Sequence, residues 1–373
     1  MNPKTLIISR EFEPQIAGVS TYISELEKRL KCEKIVIAQH MPERKRKDII
    51  GISYPKFLSS RYLKFAYFIA SAVAKSVSIK SDVVVGNALV GSTVAIIVKL
   101  ITKRPAISVI YDVDQIKDDV GELNAINKSA RKFLQKVIFG LSDSIIVDSE
   151  KVKKDITNLH NVDGNKINVI SGGFVVDNKL KAIKKPAGSK IILFVGINIR
   201  KKGLEDLVKA FARVKKTVPN CELWIVGPNT GFLRPFHGEL LVLIQKLGLE
   251  KDTKFFGEVP STSPYYKACD VFVLPSHHSE GFGIPCIEAG YFGKPVVATK
   301  IFEETGVVVR NKTALVVDPY RPSELADALV RVLTNKKLSA RLGKNGKKYV
   351  RRFTWESAAK KFENVVQKVY RHR

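Results

Sequence analysis

A glycine-rich loop within residues 275–290 holds the residue types best suited to binding a ligand. The apolar run at 271–274 before it is typical of a strand buried on both faces. Gly281 and Gly283 let backbone N–H groups approach a ligand, and Pro285 suits the first turn of a following helix. Because a helix N-terminus has unpaired N–H groups and a positive dipole end, we predict an anion site there, most simply for phosphate.

Two glutamates accompany this loop. Glu280 lies within it and Glu288 lies eight positions later, in the second turn of the predicted helix. A carboxylate only accepts hydrogen bonds, so the pair is suited to hydroxyl groups of sugars, such as a ribose and a transferred sugar. The alternative is that Glu288 complements the helix dipole and Glu280 is a solvated loop residue.

A second strand, loop and helix pattern lies at residues 191–211. The apolar run 191–195 is followed by Gly196, then by Arg200, Lys201 and Lys202, and then by a helical pattern that begins after Gly203. Fixed positive charge in this loop would make a second phosphate site, facing the first across one pocket. The three basic residues could equally form a solvated turn.

Together, the two loops resemble those of the retaining family four of GT-B glycosyltransferases, the group 1 glycosyltransferases. That family has a Gly-x-x-x-x-x-Lys-Gly loop and two Glu residues separated by seven positions. Gly196 with Lys202-Gly203, and Glu280 with Glu288, match both spacings. Also similar are Ala298-Thr299, the run at 314–319 and the loop at 14–18. The resemblance covers nearly the whole chain and implies an α/β fold of two Rossmann-like doubly wound domains that face each other across a cleft.

The resemblance also assigns roles at the donor site. Lys202, with Arg200 nearby, should hold the diphosphate of the donor, while Glu280 contacts the transferred sugar; these three are the expected catalytic residues. Glu288 should bind the ribose hydroxyls. The other expected donor contacts are the amides of Phe282, Gly283 and Ile284 at the distal phosphate, Gly18 closing over that phosphate, and Gly227 and Val259 near the base.

This chain departs from the family pattern at several positions. Ile197 stands where the family usually has Arg, and Arg200 could substitute for it. Tyr111, beside Asp112 on the acceptor side, replaces a His that contacts the transferred sugar. Smaller differences are Ala17-Gly18 in place of Gly-Gly, and Gly306 in place of a Glu, with Glu303 and Glu304 close by. These differences leave open a catalytically weakened relative that serves as a partner subunit.

The chemistry expected of such a site follows from charge. Breaking the bond between sugar and phosphate leaves negative charge on the diphosphate, so fixed cations and amide dipoles stabilise the transition state selectively. We find no carboxylate placed as a covalent nucleophile. The family is thought to retain configuration through same-face attack, in which the leaving phosphate takes the acceptor proton. We therefore expect a UDP- or GDP-linked sugar as donor, with no metal and no cofactor.

The order of elements predicts two domains. A chain of 373 residues exceeds the size at which one core keeps growing, and both halves alternate strand and helix patterns. We expect an N-terminal acceptor domain at 1–178, a lysine-rich linker at 179–190 and a nucleotide-sugar-binding domain at 191–352. A C-terminal helix at 353–373 should pack back toward the N-terminal domain. Predicted first-domain strands lie at 5–9, 34–38, 83–85, 107–110, 144–147 and 167–170.

The charge of the chain is strongly basic. Lys and Arg number 63 against 36 Asp and Glu, a net charge of +27, with one cluster at Arg44–Lys47. Nucleic-acid binding would use such charge, but no zinc spacing, aromatic RNA-binding signature or heptad run accompanies it. A helix beginning at Arg61 mixes basic and aromatic residues, which favours an anionic membrane surface and a lipid-linked or polysaccharide acceptor. The alternative is an ordinary helix packed on its sheet.

Targeting signals and cysteine spacing complete the sequence-based expectations. No charged and apolar leader precedes the first strand-like run, and lysines break the longest apolar runs well short of a membrane span. The four cysteines are scattered, which argues against a zinc site and a disulfide framework. We therefore expect a soluble cytoplasmic protein that binds peripherally at the inner face of the cell membrane.

Overall fold

The computed structural model describes residues 3–12, 18–39, 46–111, 125–229, 234–278 and 282–372, apart from the side chains of 18, 61, 62, 125–129 and 234. The chain divides into two compact units. One consists of Met1–Gly173 and Thr354–Arg373, and the other of Phe174–Phe353. Each unit contains one parallel sheet with helices, so the predicted α/β class with two parallel sheets is confirmed.

The first unit is built on a seven-stranded parallel sheet in the order β3-β2-β1-β4-β5-β6-β7. In register, Thr5 of β1 pairs with Lys34 of β2 on one side and with Val83 of β4 on the other. The strands are β1 (Thr5–Ser9), β2 (Lys34–Gln39), β3 (Ile49–Ile52), β4 (Val83–Asn87), β5 (Ala106–Ile110), β6 (Ser144–Val147) and β7 (Ile167–Val169). The helices are α1 (Gly18–Glu27), α2 (Arg61–Ser78), α3 (Ala88–Thr102), α4 (Ala125–Leu141), α5 (Glu150–His160) and α13 (Trp355–Arg371).

Strand β3 is absent from the sequence-based prediction. Its four residues include Gly51, and it lies at the edge of the sheet, where Ile49 and Ile50 are half-buried. Four of the six predicted strands, β1, β2, β4 and β6, have uninterrupted apolar centres, because a parallel strand inside the sheet is covered on both faces. Strand β3 is short and contains a glycine, so its sequence lacks that signal.

The second unit has a six-stranded parallel sheet in the order β10-β9-β8-β11-β12-β13. Its strands are β8 (Lys190–Val195), β9 (Cys221–Val226), β10 (Thr253–Gly257), β11 (Val271–Leu274), β12 (Val296–Thr299) and β13 (Ala314–Val317). Its helices are α6 (Leu204–Thr217), α7 (Arg234–Lys246), α8 (Ser263–Ala268), α9 (Ile284–Tyr291), α10 (Lys300–Glu304), α11 (Pro322–Thr334) and α12 (Lys336–Tyr349). From β8, the strands that follow it in the chain are added first on one side, as β9 and β10, and then on the other, as β11 to β13. Parallel sheets of this kind bind ligands at the carboxyl ends of the strands where the order reverses, here β8 and β11.

The segment predicted as a linker, 179–190, lies in the second unit. The ammonium of Lys267 in α8 donates to the carbonyls of Asn178 and Leu180, at 2.7 Å each. Nearby, Lys185 pairs with Asp270 at 2.8 Å. The sequence predicts a linker because this segment lacks hydrophobic periodicity. In the structure, hydrogen bonds to its backbone carbonyls and the ion pair of Lys185 attach it to the surface of the second unit. The structural boundaries fall after Gly173 and Phe353, where the sequence predicts 178 and 352.

Candidate functional site

The predicted donor-binding residues of the second unit lie in loops that follow β8, β9, β10 and β11. These four strands are parallel neighbours, so their carboxyl ends meet at one edge of the sheet. Strand β8 pairs with β11 at Ile192–Val271 and Leu193–Phe272. The basic loop after β8 therefore lies beside the glycine-rich loop after β11.

The basic loop turns tightly before α6. Arg200–Lys202 form one turn of 3-10 helix, and Gly203 follows with a φ of 72°. A Cβ on Gly203 would lie 2.1 Å from the carbonyl oxygen of Pro275, so only glycine allows the two loops this close approach. The side chain of Lys202 is half-buried, and its Cε would lie 3.8 Å from a Cβ built on Gly196. Lys202 thus lies over the start of its own loop.

Arg200 is held by carboxylates of its own unit. One guanidinium nitrogen donates to Glu205 at 2.9 Å, and another donates to Glu239. The guanidinium also lies 5.1 Å from the ring centre of Phe236. The hydrogen bond that Arg200 donates to Glu239 raises the pKa of Arg200, so the group stays charged but two carboxylates offset its field.

A histidine and an aspartate, which sequence reasoning missed, join the two loops. Nε2 of His277 lies 2.7 Å from Oδ2 of Asp206 in α6, and the backbone N–H of His277 donates to the carbonyl of Lys201 at 2.8 Å. The ring of Tyr320 stacks on His277 at 3.9 Å between centres. In the sequence, His277 and His278 could be singled out only because they lie in the glycine-rich stretch. That position did not predict Asp206 as the partner of His277.

The predicted anion site lies at the start of α9. Gly283 is the residue before the helix, with a φ of 85°, and a Cβ on it would lie 2.7 Å from the ring of Phe302. Ile284 is the first helical residue, and a proline follows it as predicted. The side chain of Phe282 is buried against Phe353, so this residue can offer a ligand only its backbone. Glu280 and Gly281 lie outside the described residues.

Glu288 is a half-buried carboxyl group in the second turn of α9. Burial raises its pKa to about 7, and hydrogen bonds from Tyr266 and Thr262 oppose this increase. The hydroxyl of Thr262 is 3.5 Å from Oε2 of Glu288. A carboxylate that merely complemented the helix dipole would have a lowered pKa, so desolvation decides the behaviour of Glu288.

The residues predicted near a nucleotide base lie on the same edge. Gly227 follows β9 with a φ of 139°, and a Cβ on it would lie 1.9 Å from the carbonyl oxygen of Gly196. Its N–H donates to the carbonyl of Gly257 at 2.8 Å. Val259 is partly buried against the core, three residues before Thr262. Close contacts thus connect Gly196 with Gly227 and Gly227 with Gly257, and Thr262 connects the segment of Val259 with Glu288 in α9.

Two buried polar side chains at the site were also missed. Asn198 is fully buried, and neither its amide nitrogen nor its amide oxygen has a hydrogen-bond partner among the described residues. Ser276 is fully buried as well, and its hydroxyl has no such partner in the described part of the chain. An unsatisfied buried polar group costs about 1–3 kcal/mol, so both positions favour a bound polar molecule.

The predicted acceptor-side residues belong to the first unit. Tyr111 directly follows β5 and is buried, and its hydroxyl donates to Oδ1 of Asn87 at 2.6 Å. The amide of Asn87 donates in turn to Ser9 at 2.9 Å, so three strand ends share one hydrogen-bonded chain. Gly18 begins α1. Asp112 and the loop at 13–17 lie outside the described residues.

The described residues contain neither a cluster of metal ligands nor a membrane-spanning helix. Among the described residues, no group of three or more His, Cys, Asp or Glu side chains is arranged to hold a metal ion. The four cysteines are buried and unpaired with one another. No helix in the described parts of the chain combines the length and apolar character needed to span a bilayer.

Comparison with known sequences identifies relatives of this chain. The chain is 26% identical over 255 residues to D-inositol 3-phosphate glycosyltransferase of Corynebacterium glutamicum, a match covering 63% of this chain and 60% of that protein. The chain thus spans about three fifths of the length of that relative. It is also 25% identical to an uncharacterized glycosyltransferase of Methanocaldococcus jannaschii, over 97% of both chains.

Solved structures and a family model complete the comparison. Sucrose-phosphate synthase from Thermosynechococcus elongatus has the same fold, with a TM-score of 0.84 and 21% identity over 99% of this chain and all of that one. Anabaena HepE in complex with UDP and glucose has a TM-score of 0.79 and 19% identity, covering 98% of this chain and 99% of that one. The predicted GT-B fold class is confirmed. The model of glycosyl transferases group 1 matches residues 175–349. The second unit of this chain therefore matches the group 1 glycosyltransferases, the family that the sequence motifs indicated.

Proposed function

We propose that this protein transfers a sugar, most simply a hexose, from a UDP- or GDP-linked donor to a lipid-linked or polysaccharide acceptor. Transfer retains the anomeric configuration, requires no metal and takes place in the cytoplasm at the inner membrane surface. The observation that carries the donor part is the contact between the two loops. The hydrogen bond from His277 to Lys201 holds the basic loop against the beginning of the loop that leads to α9, and the two loops supply phosphate-binding groups of two kinds.

The donor roles follow from what each group can bind. The ammonium of Lys202 binds the diphosphate, and the N–H groups at Gly283 and Ile284 bind its distal phosphate. Glu288 accepts hydrogen bonds from the ribose hydroxyls, because Thr262 ties it to the loop of Val259, where the base would lie. Support comes from Anabaena HepE, whose structures of similar fold contain UDP and UDP-glucose.

The reaction forms one bond and breaks one. The bond between the anomeric carbon and the phosphate oxygen breaks, and the acceptor oxygen attacks the same face of the sugar. Its proton passes to an oxygen of the leaving diphosphate. Lys202 and the α9 amides stabilise the negative charge that develops on that diphosphate, and Glu280 orients the transferred sugar. These fixed positive groups are why we propose a metal-independent reaction.

This function is tested by donor screening and product analysis. We expect one nucleotide sugar of a UDP and GDP panel to raise the melting temperature and then to react with an acceptor extract. Proton NMR of fresh product should give the anomeric configuration of the donor, and EDTA should leave the rate unchanged. An inverted product or full loss of activity in EDTA would contradict the mechanism, whereas no stabilisation by any donor would contradict the function itself.

The raised pKa of Glu288 predicts a pH dependence of nucleotide binding. The ionised carboxylate is the better acceptor for two ribose hydroxyls, and it predominates only above about pH 7. Between pH 8 and pH 6 its ionised fraction falls about tenfold, so the affinity for UDP or GDP should fall by up to about that factor. Calorimetry of the wild type and Glu288→Gln measures the difference.

The variant serves as the control for titration of the ligand phosphates, because it retains every other group. We expect Glu288→Gln to bind more weakly at pH 8 and to show only the pH dependence of the nucleotide itself. Identical pH profiles for wild type and Glu288→Gln would rule out a ribose contact by the carboxylate.

Glu280→Ala should leave binding of the free nucleoside diphosphate intact, because the nucleoside diphosphate lacks the transferred sugar that Glu280 contacts.

The acceptor part of the proposal rests on the surface of the first unit. Phe57 is 82% exposed, and Leu63 and Tyr67, four positions apart on α2, are exposed as well. Phe68 of the same helix is fully buried, so α2 packs on its sheet and still presents an apolar and aromatic face to solvent. Arg46 of the basic cluster forms two hydrogen bonds to the buried Glu27 and is unsuited to neutralisation.

We expect the protein to bind anionic vesicles more strongly than neutral ones, and the binding to weaken as salt rises. Each Lys or Arg near an anionic surface contributes about 1 kcal/mol, screened over ~8 Å at physiological ionic strength. Neutralising Arg44, Lys45 and Lys47 should therefore reduce vesicle sedimentation and leave donor affinity unchanged. Lys336→Gln with Lys337→Gln, on exposed positions of the second unit, is the control. Equal binding to neutral vesicles at low salt would overturn the membrane proposal.

A catalytically weakened partner subunit is the second candidate function. Ile197 is 37% exposed in the basic loop and supplies no charge where the family usually has Arg. Arg200 stands nearby but is engaged by Glu205 and Glu239. Donor binding without measurable transfer or donor hydrolysis would favour this candidate over the active enzyme.

A further inference from the structure

We propose that a cationic pocket at the amino edge of the first sheet binds a phosphate-bearing anion. Three segments before strands line this pocket, with Pro105 leading into β5, Asp143 into β6 and Lys166 into β7. The ends of α3 and α13 complete the lining. Because the strands are parallel, this edge is opposite to the one that carries Asn87 and Tyr111. The pocket is therefore separate from the acceptor side, and the inference is independent of the proposed function.

The size of the pocket suits a small organic or inorganic phosphate. Its volume is about 410 Å³, within the range of about 300–1,000 Å³ for small-molecule sites. Asn165, Ser144 and Asn168 contribute amide and hydroxyl groups to the lining. The amide of Asn168 donates to the hydroxyl of Ser144 at 2.8 Å, which fixes the direction of both groups.

The charge of the lining is positive. Lys99, Lys103, Lys166 and Lys368 line the pocket, and Asp143 is the acidic residue among them. Asp143 pairs with Lys99 at 2.7 Å. Lys103 and Lys368 have no carboxylate partner among the described residues. Four cations against one carboxylate favour a ligand with two or more negative charges.

Two of these lysines are held in place before any ligand arrives. Lys99 donates to the carbonyl of Leu141 at 2.8 Å and to Asp143. Lys166 donates to the carbonyls of Phe139 and Gly140, at 3.0 and 2.8 Å. An ammonium has three N–H groups, so the described acceptors leave one on each lysine for a ligand. Both side chains also satisfy the last carbonyls of α4, and this explains the orientation of Lys99 and Lys166 without a ligand. It does not explain why Lys103 and Lys368 also line the pocket.

The pKa of Lys166 is lowered in this pocket. Burial is the largest cause, the positive charge of Lys99 lowers the pKa further, and the negative charges of Asp143 and Asp163 partly oppose the decrease. A bound dianion would reverse the second effect, since an opposite charge favours the ammonium form. The ligand would also contact Lys368 near the end of α13, and so tie the last turn of the C-terminal helix to the sheet.

Hydrogen–deuterium exchange locates the site. Inorganic pyrophosphate, compared with sodium chloride at equal ionic strength, should slow exchange in peptides spanning 99–105, 143–145, 164–168 and 366–372. Binding at the donor loops of the second unit would protect other peptides, near 196–203 and 282–288, so the two events are distinguishable. No protection in the first set with any phosphate-bearing probe would overturn the proposal.

Paired variants test the role of the lysines. Lys103→Gln with Lys368→Gln removes two cations that have no described carboxylate partner, and should weaken pyrophosphate binding by about tenfold for each lysine. Lys75→Gln with Lys80→Gln removes the same charge from exposed positions of the same unit and should have little effect. Equal protection in both double variants would refute a built site.

The phosphate could belong to a soluble molecule or to a lipid headgroup, and a second arm distinguishes these sources. Vesicles of phosphatidylcholine with and without phosphatidic acid replace pyrophosphate in the exchange experiment. Protection by pyrophosphate that requires Lys103 and Lys368 indicates a soluble ligand. Protection by phosphatidic acid vesicles alone, with the same requirement, indicates a headgroup. Protection in neither arm excludes both sources.

Discussion

Replacing Lys202 with alanine is expected to reduce sugar transfer about 10²–10³-fold, while the second unit remains folded. The change removes the cation that we propose binds the leaving diphosphate, which gains negative charge in the transition state. Loss of one preorganised donor at developing charge typically costs about 2.7–4 kcal/mol of transition-state stabilisation. Lys202 is half-buried in a loop, so its removal leaves the sheet and its core intact. Steady-state turnover with the preferred donor measures the effect.

Two comparison variants sharpen this test. Lys209→Ala removes the same charge from an exposed position of α6 and should leave turnover near the wild-type value. Arg200→Ala should cost less than Lys202→Ala, because Glu205 and Glu239 already offset the guanidinium charge. Wild-type turnover in Lys202→Ala, or a larger loss in Lys209→Ala, would disprove the assignment of the diphosphate site.

Replacing Trp355 with alanine is expected to destabilise the first unit by about 3–5 kcal/mol, the usual cost of deleting a large buried aromatic side chain. Trp355 is 2% exposed and begins α13. Its ring packs edge-on against Tyr22 of α1 at 5.5 Å. A Cβ on Gly173 would lie 2.4 Å from the backbone nitrogen of Trp355, so the two backbone segments are already in close contact. We therefore expect little movement of this backbone into the cavity that the substitution leaves.

Equilibrium urea unfolding, followed by exchange protection of first-unit peptides, measures this loss. Glu356→Ala is the matched control, since Glu356 is the next residue and its side chain is 74% exposed. Its ion pair with Arg29 is a surface contact, for which we expect a change within about 1 kcal/mol. A similarly small change for Trp355→Ala would mean that α13 contributes little to the stability of the first unit.

Hydrophobic patterning alone determined most of the secondary structure. The predicted helix at 61–78 and the predicted strand at 271–274 agree with α2 and β11, because a helix with one apolar face and a strand buried on both sides each have a local signature. Strand β3 has no such signature, since an edge position leaves its residues half-exposed. The sequence predicts helices at 20–31 and 130–140, and the corresponding helices α1 and α4 differ by two to five residues at the N-terminus and by one to four at the C-terminus.

The sequence also predicted where the two proposed ligand-binding loops of the second unit require glycine. Glycines at 203 and 283 have positive φ, and each would bring a Cβ within 3 Å of a neighbour, so the motif spacing reflects real steric limits. The glycine at 227 was predicted to lie near a base. The structure adds that it must accommodate the carbonyl of Gly196, a contact between two adjacent strand ends.

Only the tertiary structure decided which charges remain effective at the site. Asp206 and His277 are 71 positions apart, and Glu239 lies 39 positions from the Arg200 that it binds. The raised pKa of Glu288 likewise depends on burial, which outweighs hydrogen bonds from Tyr266 and Thr262 in another segment of the chain. Local patterns specify strands and helices because neighbouring residues repeat with a fixed period. Pairing and desolvation depend on residues brought together by the sheet order, which no local period encodes.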